Sequence, residues 1–387
     1  MKLLLYSHDW APTIGGVQTI TRLLADGLAN RPVSDSDSNE PTEVTLVTLT
    51  PRGNMDDAKL PYRVVRSPNL IQLVSLMRQA DLVHLAGPSL GPLLIGWLLG
   101  KLVVEHHGYN SICPNGLLFY EPDETACPGH FMARRYWKCL RCNAGKLGLL
   151  GSLRALALTF PRRWLCLGVA RNIAVTEHVR NRICLPRCEV VYHGVSASPP
   201  AHLSSRDCTF PMHFAYVGRL VSIKGLDLII GAVQDLRNRG ASFHIDIIGD
   251  GPEREHLERL ASEHGLNDVI SFLGFLEGEE LEKKVSDVAV VLMPSIWEET
   301  AGLAAMEHMA RGKPTIVSDI GGLAEVVADS GLKFSPGNPR ALADQMSKFL
   351  EDPDLVRRLG AAALKRASEL FRVRNMIENH LQIYRNV

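Results

Sequence analysis

The sequence predicts an α/β protein built as two Rossmann-like domains, on three observations. At 387 residues the chain exceeds what one hydrophobic core serves, since single cores stop growing beyond roughly 250–300 residues. Short apolar runs alternate with amphipathic helical runs, the pattern of parallel sheets covered by helices. The same opening unit of strand, glycine loop and helix also occurs twice, at Lys2 and again after a proline-rich stretch near residue 200.

The elements follow in order. KLLLYS is the first strand, APTIGGVQ a glycine-containing loop and TITRLLADGLA the helix after it. The polar run RPVSDSDSNEPTE connects to the strands VTLVTLT, YRVVRS and LVHLAG, a helix over 91–100 and the strand KLVVEHHG. LGLLGSLRALALTF reads as an apolar helix, followed by the strands NIAVT and EVVYHGV. The small, polar, proline-rich segment that follows is the best linker in the chain. Beyond it the grammar restarts with FAYVGRL, GLDLIIGAVQDLRNRG, HIDIIGDGP, REHLERLASEHG, VISFLGFL, EELEKKVSD, VAVVLMPS, LAAMEHMARG and PTIVSD, and closes in three helices. We therefore expect a first domain over 1–198 with a cysteine-containing insertion at about 108–146, a linker over 199–209, a second domain over 210–370 and a final helix over 371–387.

Composition narrows the class. With 46% hydrophobic and 22% charged residues, the chain is not disordered as a whole. Lys plus Arg equals Asp plus Glu, 42 each, so it is not built throughout to bind a polyanion. Leu3–Tyr6 is too short for a signal-peptide core, Leu93–Leu99 is closed by Gly100-Lys101 and Leu147–Leu158 is broken by Arg154, so no spanning helix is expected. The expected location is cytoplasmic. The zero balance hides an asymmetry: residues 1–199 hold 21 basic and 15 acidic residues, the remainder 21 and 27. Twelve basic residues from Arg134 to Arg187 face only Glu177 and Glu189. This run is read either as a solvated basic face or as a surface for anionic lipid, peripheral on the inner face of a membrane. With few aromatics and no recognisable module, nucleic acid is not expected as a partner.

Three elements of the second half carry chemistry. In GRLVSIKG, Arg219 and Lys224 sit in a loop between a strand and a helix, which suits a polyphosphate. In EETAGLAAME, Gly302 separates Glu299 in the loop from Glu307 in the helix, where Ala305, Met306 and Met309 make an apolar face. A carboxylate on such a face needs donors, and ribose hydroxyls would serve. The amides of Ala301, Gly302 and Leu303 can point at an anion as that helix begins. SDIGGLAEVV adds a glycine pair between a strand and a helix.

In this order and spacing, these elements with IIGDGPE and FLGF resemble the donor-binding domain of the family 4 glycosyltransferases (glycosyl transferases group 1), retaining enzymes of the GT-B fold. The resemblance covers nearly the whole chain and is strongest from Phe214 to Val327. It implies two Rossmann-like domains facing each other across a cleft, an acceptor on the first, a nucleotide-sugar donor (UDP-, GDP- or ADP-sugar) on the second, and a final helix packing back on the first domain. Arg219 and Lys224 match the pair that holds the donor diphosphate. Glu307 matches the residue that holds the ribose hydroxyls, and Glu299 the one that contacts the transferred sugar. Gly15 and Gly16 match the N-terminal glycine loop that lets amides approach the phosphate. His107 matches a first-domain histidine near the sugar, and Gly274 and Leu276 would edge the base. Two positions depart from the pattern: Thr300-Ala301 replaces a common Gly-Phe, and His193 stands where Asn is common.

Charge develops on the diphosphate as the glycosidic bond breaks, and fixed cations and amides stabilise it. Arg219, Lys224 and helix N-termini can do this without a metal cofactor. Asp35-Ser36-Asp37 has the spacing of a metal-dependent transferase motif but lies in a polar run read as loop. The resemblance implies same-face attack with no side-chain nucleophile. His107 would orient the sugar or assist the proton, or it merely satisfies a strand end. The acceptor class stays open: a glycan, a lipid-linked or a small-molecule acceptor. Rival readings are a nucleotide-sugar epimerase or hydrolase on the same fold and a catalytically silent sugar-nucleotide-binding or scaffold subunit. Cys113, Cys127, Cys139 and Cys142 fall in one segment with a single C-x-x-C, which is either a structural zinc site or a set of free thiols. Cys166, Cys184, Cys188 and Cys208 are scattered and read as small hydrophobes.

Overall fold

The computed structural model describes residues 1–13, 15–30, 42–196 and 211–387. Asp35-Ser36-Asp37, the 199–209 linker and Cys208 lie outside the described residues. The chain divides into two compact units, one of Met1–Asp123, Cys127–Gly194 and Arg372–Val387, the other of Val195–Phe371 with Glu124–Ala126.

The first unit opens with β1 (Lys2–Ser7), α1 (Gly16–Ala29), β2 (Glu43–Thr48), β3 (Arg63–Arg66), α2 (Leu70–Gln79), β4 (Leu82–Leu85), α3 (Leu90–Leu99) and β5 (Leu102–His106). Two short strands, β6 (Phe119–Tyr120) and β7 (Thr125–Ala126), precede the long α4 (Tyr136–Gly168), then β8 (Arg171–Ala174), α5 (Glu177–Ile183) and β9 (Cys188–Val190). Seven strands form a parallel sheet in the order β3-β2-β1-β4-β5-β8-β9. β1 and β4 are buried on both faces, as a sheet covered by helices requires. Helix α13 (Val373–Arg385), far away in sequence, packs on α1, where the side chain of Ile377 fills the space beside Gly27.

The 147–160 stretch is the middle of the longer α4, which is two helices joined at Gly148. Gly148 holds φ 66°, a left-handed conformation that a side chain disfavours. Helix α1 begins at Gly16, so the predicted loop ends three residues early. Arg134 has φ 57° and precedes α4, so it lies off the helix that carries Lys138 and Arg141.

Several of the twelve residues of the basic run are engaged with the backbone. Arg162 donates to Pro88 O, Arg163 to Ile183 O, Arg182 to Cys127 O and Arg187 to Val169 O and Leu167 O. These guanidinium groups satisfy backbone carbonyls where the chain turns, and are not a free cationic face. Helices α3 and α4 also present apolar side chains to solvent, on α4 beside the exposed Arg141, Lys146 and Arg154. Leu98, Leu150 and Trp164 are 69%, 83% and 59% exposed, with Leu94, Leu153 and Phe160 beside them in the sequence pattern.

The second unit contains β10 (Met212–Val217), α6 (Asp227–Asn238), β11 (Phe243–Ile248), α7 (Arg254–Glu263), β12 (Ile270–Gly274), α8 (Gly278–Asp287) and β13 (Val290–Met293). It continues with α9 (Leu303–Ala310), β14 (Thr315–Ser318), α10 (Gly321–Val327), β15 (Leu332–Phe334), α11 (Pro339–Glu351) and α12 (Asp354–Leu370). Its six parallel strands run in the order β12-β11-β10-β13-β14-β15. Helices α6 and α11 pack together over this sheet, burying Ile229, Ile230, Val233 and Leu236 with Leu342, Met346 and Phe349. In both sheets the strand order reverses beside the first strand, and ligands of open α/β sheets bind beyond the strand ends at that point. In the second unit the reversal lies between β10 and β13.

Candidate active site

The loops after β10 and β13 hold the residues that the sequence singles out. The first carries Gly218, Arg219 and a short helical turn over Ser222–Lys224. The second runs from Pro294 to Gly302, the N-cap of α9. Ile296 N donates to Ile223 O at 3.0 Å, joining the two loops. Gly225, at φ +65°, lets them approach: a Cβ there would lie 2.3 Å from Pro294 O. A third segment closes on the second loop, since Gly322 N donates to Glu299 O at 2.6 Å. A Cβ on Gly321 would lie 2.8 Å from Glu298 Cα and Glu299 N, so the glycine pair lets α10 begin directly against Glu299.

These contacts fix a charged pair. Lys224 Nζ lies 2.7 Å from Glu299 Oε1, which also accepts from Ser295 Oγ. Glu299 is buried, and Lys224 Nζ stands 6.0 Å from the centre of the Trp297 ring. Tyr216 OH donates to Arg219 O at 2.9 Å, and burial followed by the charge of Glu299 raises the phenol pKa. The Arg219 side chain is exposed. Ser295 was not legible as a site residue, although a hydroxyl four residues before a buried carboxylate is a signal for its donor.

Glu307 lies on α9, among the buried Ala305, Met306 and Met309. Its carboxylate has no hydrogen-bond or ion-pair partner among the described residues. Burial raises its pKa, against the opposing charge of Arg311. Its neighbour His308 is buried, and burial lowers its pKa to about 3. Ala301 and Gly302 are buried and Leu303 is partly so, at the start of α9. Gly274 ends β12 with φ 75°, its carbonyl accepting from Gly249 N at 2.7 Å, and Leu276 follows two residues on. Gly15 is the N-cap of α1 and Gly16 its first residue.

His107 follows β5 in the first unit. Its Nδ1 is 3.2 Å from His193 Nε2, and its Nε2 is 3.4 Å from Glu105 Oε2. The departure from the family pattern at His193 thus places a second imidazole on the candidate histidine. Glu105 is buried, with His84 and His380 also within 3.5 Å of Oε2. Burial opposes its charge, but the charges of His107 and His380 outweigh that and hold the carboxyl well below its ordinary pKa. Burial, then the charge of His107, lowers His193 to about 3. Sequence reasoning missed this cluster, although a glutamate inside the apolar strand LVVEH is itself a signal, because a buried charge needs partners.

Cys113, Cys127, Cys139 and Cys142 are all buried free thiols of the first unit. Burial raises the Cys113 thiol to about 11 and the Cys139 thiol to about 12, and the latter feels the other three sulfurs. Cys113 Sγ donates to Asn115 Oδ1 at 2.9 Å and Cys142 Sγ to Phe119 O at 3.3 Å. Among the described residues, the groups of three donors within 4.8 Å are His84, Glu105 and His380, and Glu105, His107 and His193; no three of these sulfurs are so grouped. A zinc ion here would draw the sulfurs to about 3.8 Å apart and replace those thiol hydrogen bonds.

The two units and the loops of the second define a class of fold: this is a protein with the GT-B fold. Residues 211–366 match the family described as Glycosyl transferases group 1, so the chain carries a segment of that family, as its motifs imply. It is 33% identical over 150 residues to the alpha-D-kanosaminyltransferase of Streptomyces kanamyceticus, covering 38% of this chain and 39% of that protein. It is 36% identical over 140 residues to the 2-deoxystreptamine glucosyltransferase of the same organism, covering 36% of each. The chain thus spans less than two fifths of the length of these curated relatives. Among solved structures, Anabaena HepE in complex with UDP is similar at a TM-score of 0.71 and 16% identity, covering 100% of both chains. Sucrose-phosphate synthase from Thermosynechococcus elongatus is similar at 0.72 and 20% identity, covering 99% of this chain and 98% of that one. These likenesses concern the fold.

Proposed function

We propose that this protein transfers a sugar from a nucleotide-sugar donor to an acceptor, with retention of configuration and without a catalytic metal. The observation that carries the reading is the Lys224–Glu299 pair at the strand-order reversal of the second unit, with Arg219 and Glu307 on the flanking elements. In the loaded site Lys224 and Arg219 hold the diphosphate, so charge developing on the leaving group meets fixed cations. Glu299, freed from Lys224, takes a hydroxyl of the sugar, and Glu307 takes the ribose hydroxyls. The leaving phosphate takes the acceptor proton, and His107 orients the sugar. Structures of HepE hold UDP and UDP-glucose, which makes a uridine nucleotide the first donor to try. A thermal-shift panel of UDP, GDP, ADP and their sugars tests the reading. One nucleotide at 100 times its dissociation constant stabilises the protein by about 2.7 kcal/mol. A panel without any shift sinks the donor site. Donor consumption without acceptor would favour the hydrolase or epimerase, and binding without turnover a silent subunit.

The acceptor we propose is lipid-linked, with the first unit peripheral on the inner, cytoplasmic face of a membrane. No helix among the described residues is long and apolar enough to cross one. The exposed Leu98, Leu150 and Trp164 supply apolar area worth about 25 cal/mol per Å² buried. Exposed Arg134, Arg135 and Arg154 add about 1 kcal/mol each near an anionic leaflet. Flotation with anionic vesicles is therefore expected at low salt, with part of it surviving high salt because the apolar share is not screened. Leu150→Glu with Trp164→Glu should abolish it. A chain that stays at the bottom of the gradient at low salt leaves a soluble acceptor. We also propose the four-cysteine zinc site as a structural element, separate from the chemistry.

A further inference from the structure

We propose that His84, Glu105 and His380 hold a divalent transition cation of the zinc class, which ties strands β4 and β5 to helix α13. The three donors are His84 Nε2, His380 Nε2 and Glu105 Oε2, with the nitrogens 3.2 and 3.5 Å from the oxygen. Ligands 2.0–2.1 Å from a tetrahedral zinc lie about 3.3 Å apart, which the two nitrogen–oxygen spacings match, and all three atoms lie within 4.8 Å of one another. All three side chains are buried, and His380 is fully so.

The second observation is how these atoms are left. Neither His84 Nε2 nor His380 Nε2 is aligned for a well-formed hydrogen bond, despite the short distances to Glu105. Nitrogens that approach the oxygen off the line of a hydrogen bond produce that combination, as ligands around one ion do. The opposite ring nitrogens are fixed. His380 Nδ1 is 2.8 Å from Met376 O, a carbonyl that only accepts, so Nδ1 carries the hydrogen. In the neutral ring Nε2 is then a bare lone pair facing a carboxylate, a repulsion that either a proton on Nε2 or a metal cation between the two relieves. His84 Nδ1 is 2.9 Å from Tyr384 OH, a partner that can accept its hydrogen and turn the Nε2 lone pair the same way. Metal-bound histidines ordinarily have the other ring nitrogen held by a carbonyl or similar group. Two histidines with one carboxylate form a borderline nitrogen and oxygen donor set that suits zinc and its neighbours. Glu105 Oε2 is also 3.4 Å from His107 Nε2, so a cation on that carboxylate would set the orientation of His107 as well.

The competing account is a cluster held by protons alone. The test uses full-length Cys139→Ser protein, so that the cysteine cluster does not supply four thiolates. After incubation with zinc chloride and desalting, it should retain about one equivalent of zinc, and Cys139→Ser/His380→Gln should lose it. With cobalt chloride in place of zinc, Cys139→Ser protein should show the visible bands of four-coordinate cobalt without a thiolate charge-transfer band in the near ultraviolet. Three results overturn the proposal: no zinc retained by Cys139→Ser protein, full retention by the double variant, or bound cobalt whose only signature is the thiolate band. The cobalt spectrum needs no change in the histidine cluster, so it decides the question even where the double variant fails to fold.

Discussion

Lys224→Ala is expected to lower turnover by roughly 10²–10³, the scale of removing one preorganised transition-state donor. The structure gives this lysine one role, and the proposed reaction a second. Without ligand it neutralises the buried carboxylate of Glu299 at 2.7 Å. With donor bound, the proposed reaction needs its charge on the diphosphate. Alanine therefore leaves Glu299 with Ser295 Oγ as its remaining side-chain donor, and part of the effect is on stability. The Lys224 side chain is 24% exposed, so water reaches the pair and the stability loss should be about 1–2 kcal/mol. Melting curves and steady-state kinetics separate the two: the folded variant should lose kcat. Turnover within threefold of the parent, in protein shown to be folded, would remove Lys224 from the chemistry. Turnover that required added magnesium would equally count against a site run by Lys224 and Arg219.

Glu307→Gln should act in opposite directions on binding and on stability. Burial raises the pKa of this carboxyl and no hydrogen-bond donor among the described residues reaches it, so its ionised form weakens the ligand-free fold. That penalty is absent at low pH, where the group is protonated in both states. It grows as pH rises through the ordinary carboxylate range, because the unfolded chain releases the proton first. Glutamine removes the penalty, and the ligand-free variant should melt higher than the parent at pH 7 and equally at pH 4. Nucleotide binding should weaken by about 10- to 100-fold, since hydrogen bonds to a charged group contribute roughly 1.5–3 kcal/mol. Calorimetric titration of the nucleotide found in the thermal-shift panel measures this. Unchanged affinity would mean that Glu307 does not hold the ribose.

The second unit was the more legible half, for a physical reason. Its strands and helices alternate with clear periodicity, and its site lies on loops whose glycines and charges are local in sequence. The strand β15 escaped because LKF is too short to carry a pattern. Helix α2 escaped because Leu70 and Ile71 face solvent, so its apolar residues do not fall on one stripe. The Lys224–Glu299 pairing could not be read, since it joins positions 75 residues apart. The histidine cluster was still further from view: His84, Glu105, His193 and His380 come from β4, β5, the segment after β9 and α13. Nothing local announces that these meet. The basic run was legible only as a count, because composition does not say that Arg162, Arg163, Arg182 and Arg187 bond backbone carbonyls while Arg134, Arg135 and Arg154 stay exposed.

The position of α13 has a consequence for how the protein is made. Arg372–Val387 belongs with the first unit, yet these residues leave the ribosome after the whole of the second. Tyr384 OH meets His84 Nδ1 across 300 residues. Synthesis at about 5–20 residues per second leaves β4 and α1 without this helix for roughly 15 s or more after they emerge. During that interval Val195–Phe371 can complete its own sheet, while the earlier-born unit still lacks a wall. The first unit should therefore become protease-resistant no earlier than the second, against the usual N-terminal-first order of domain folding.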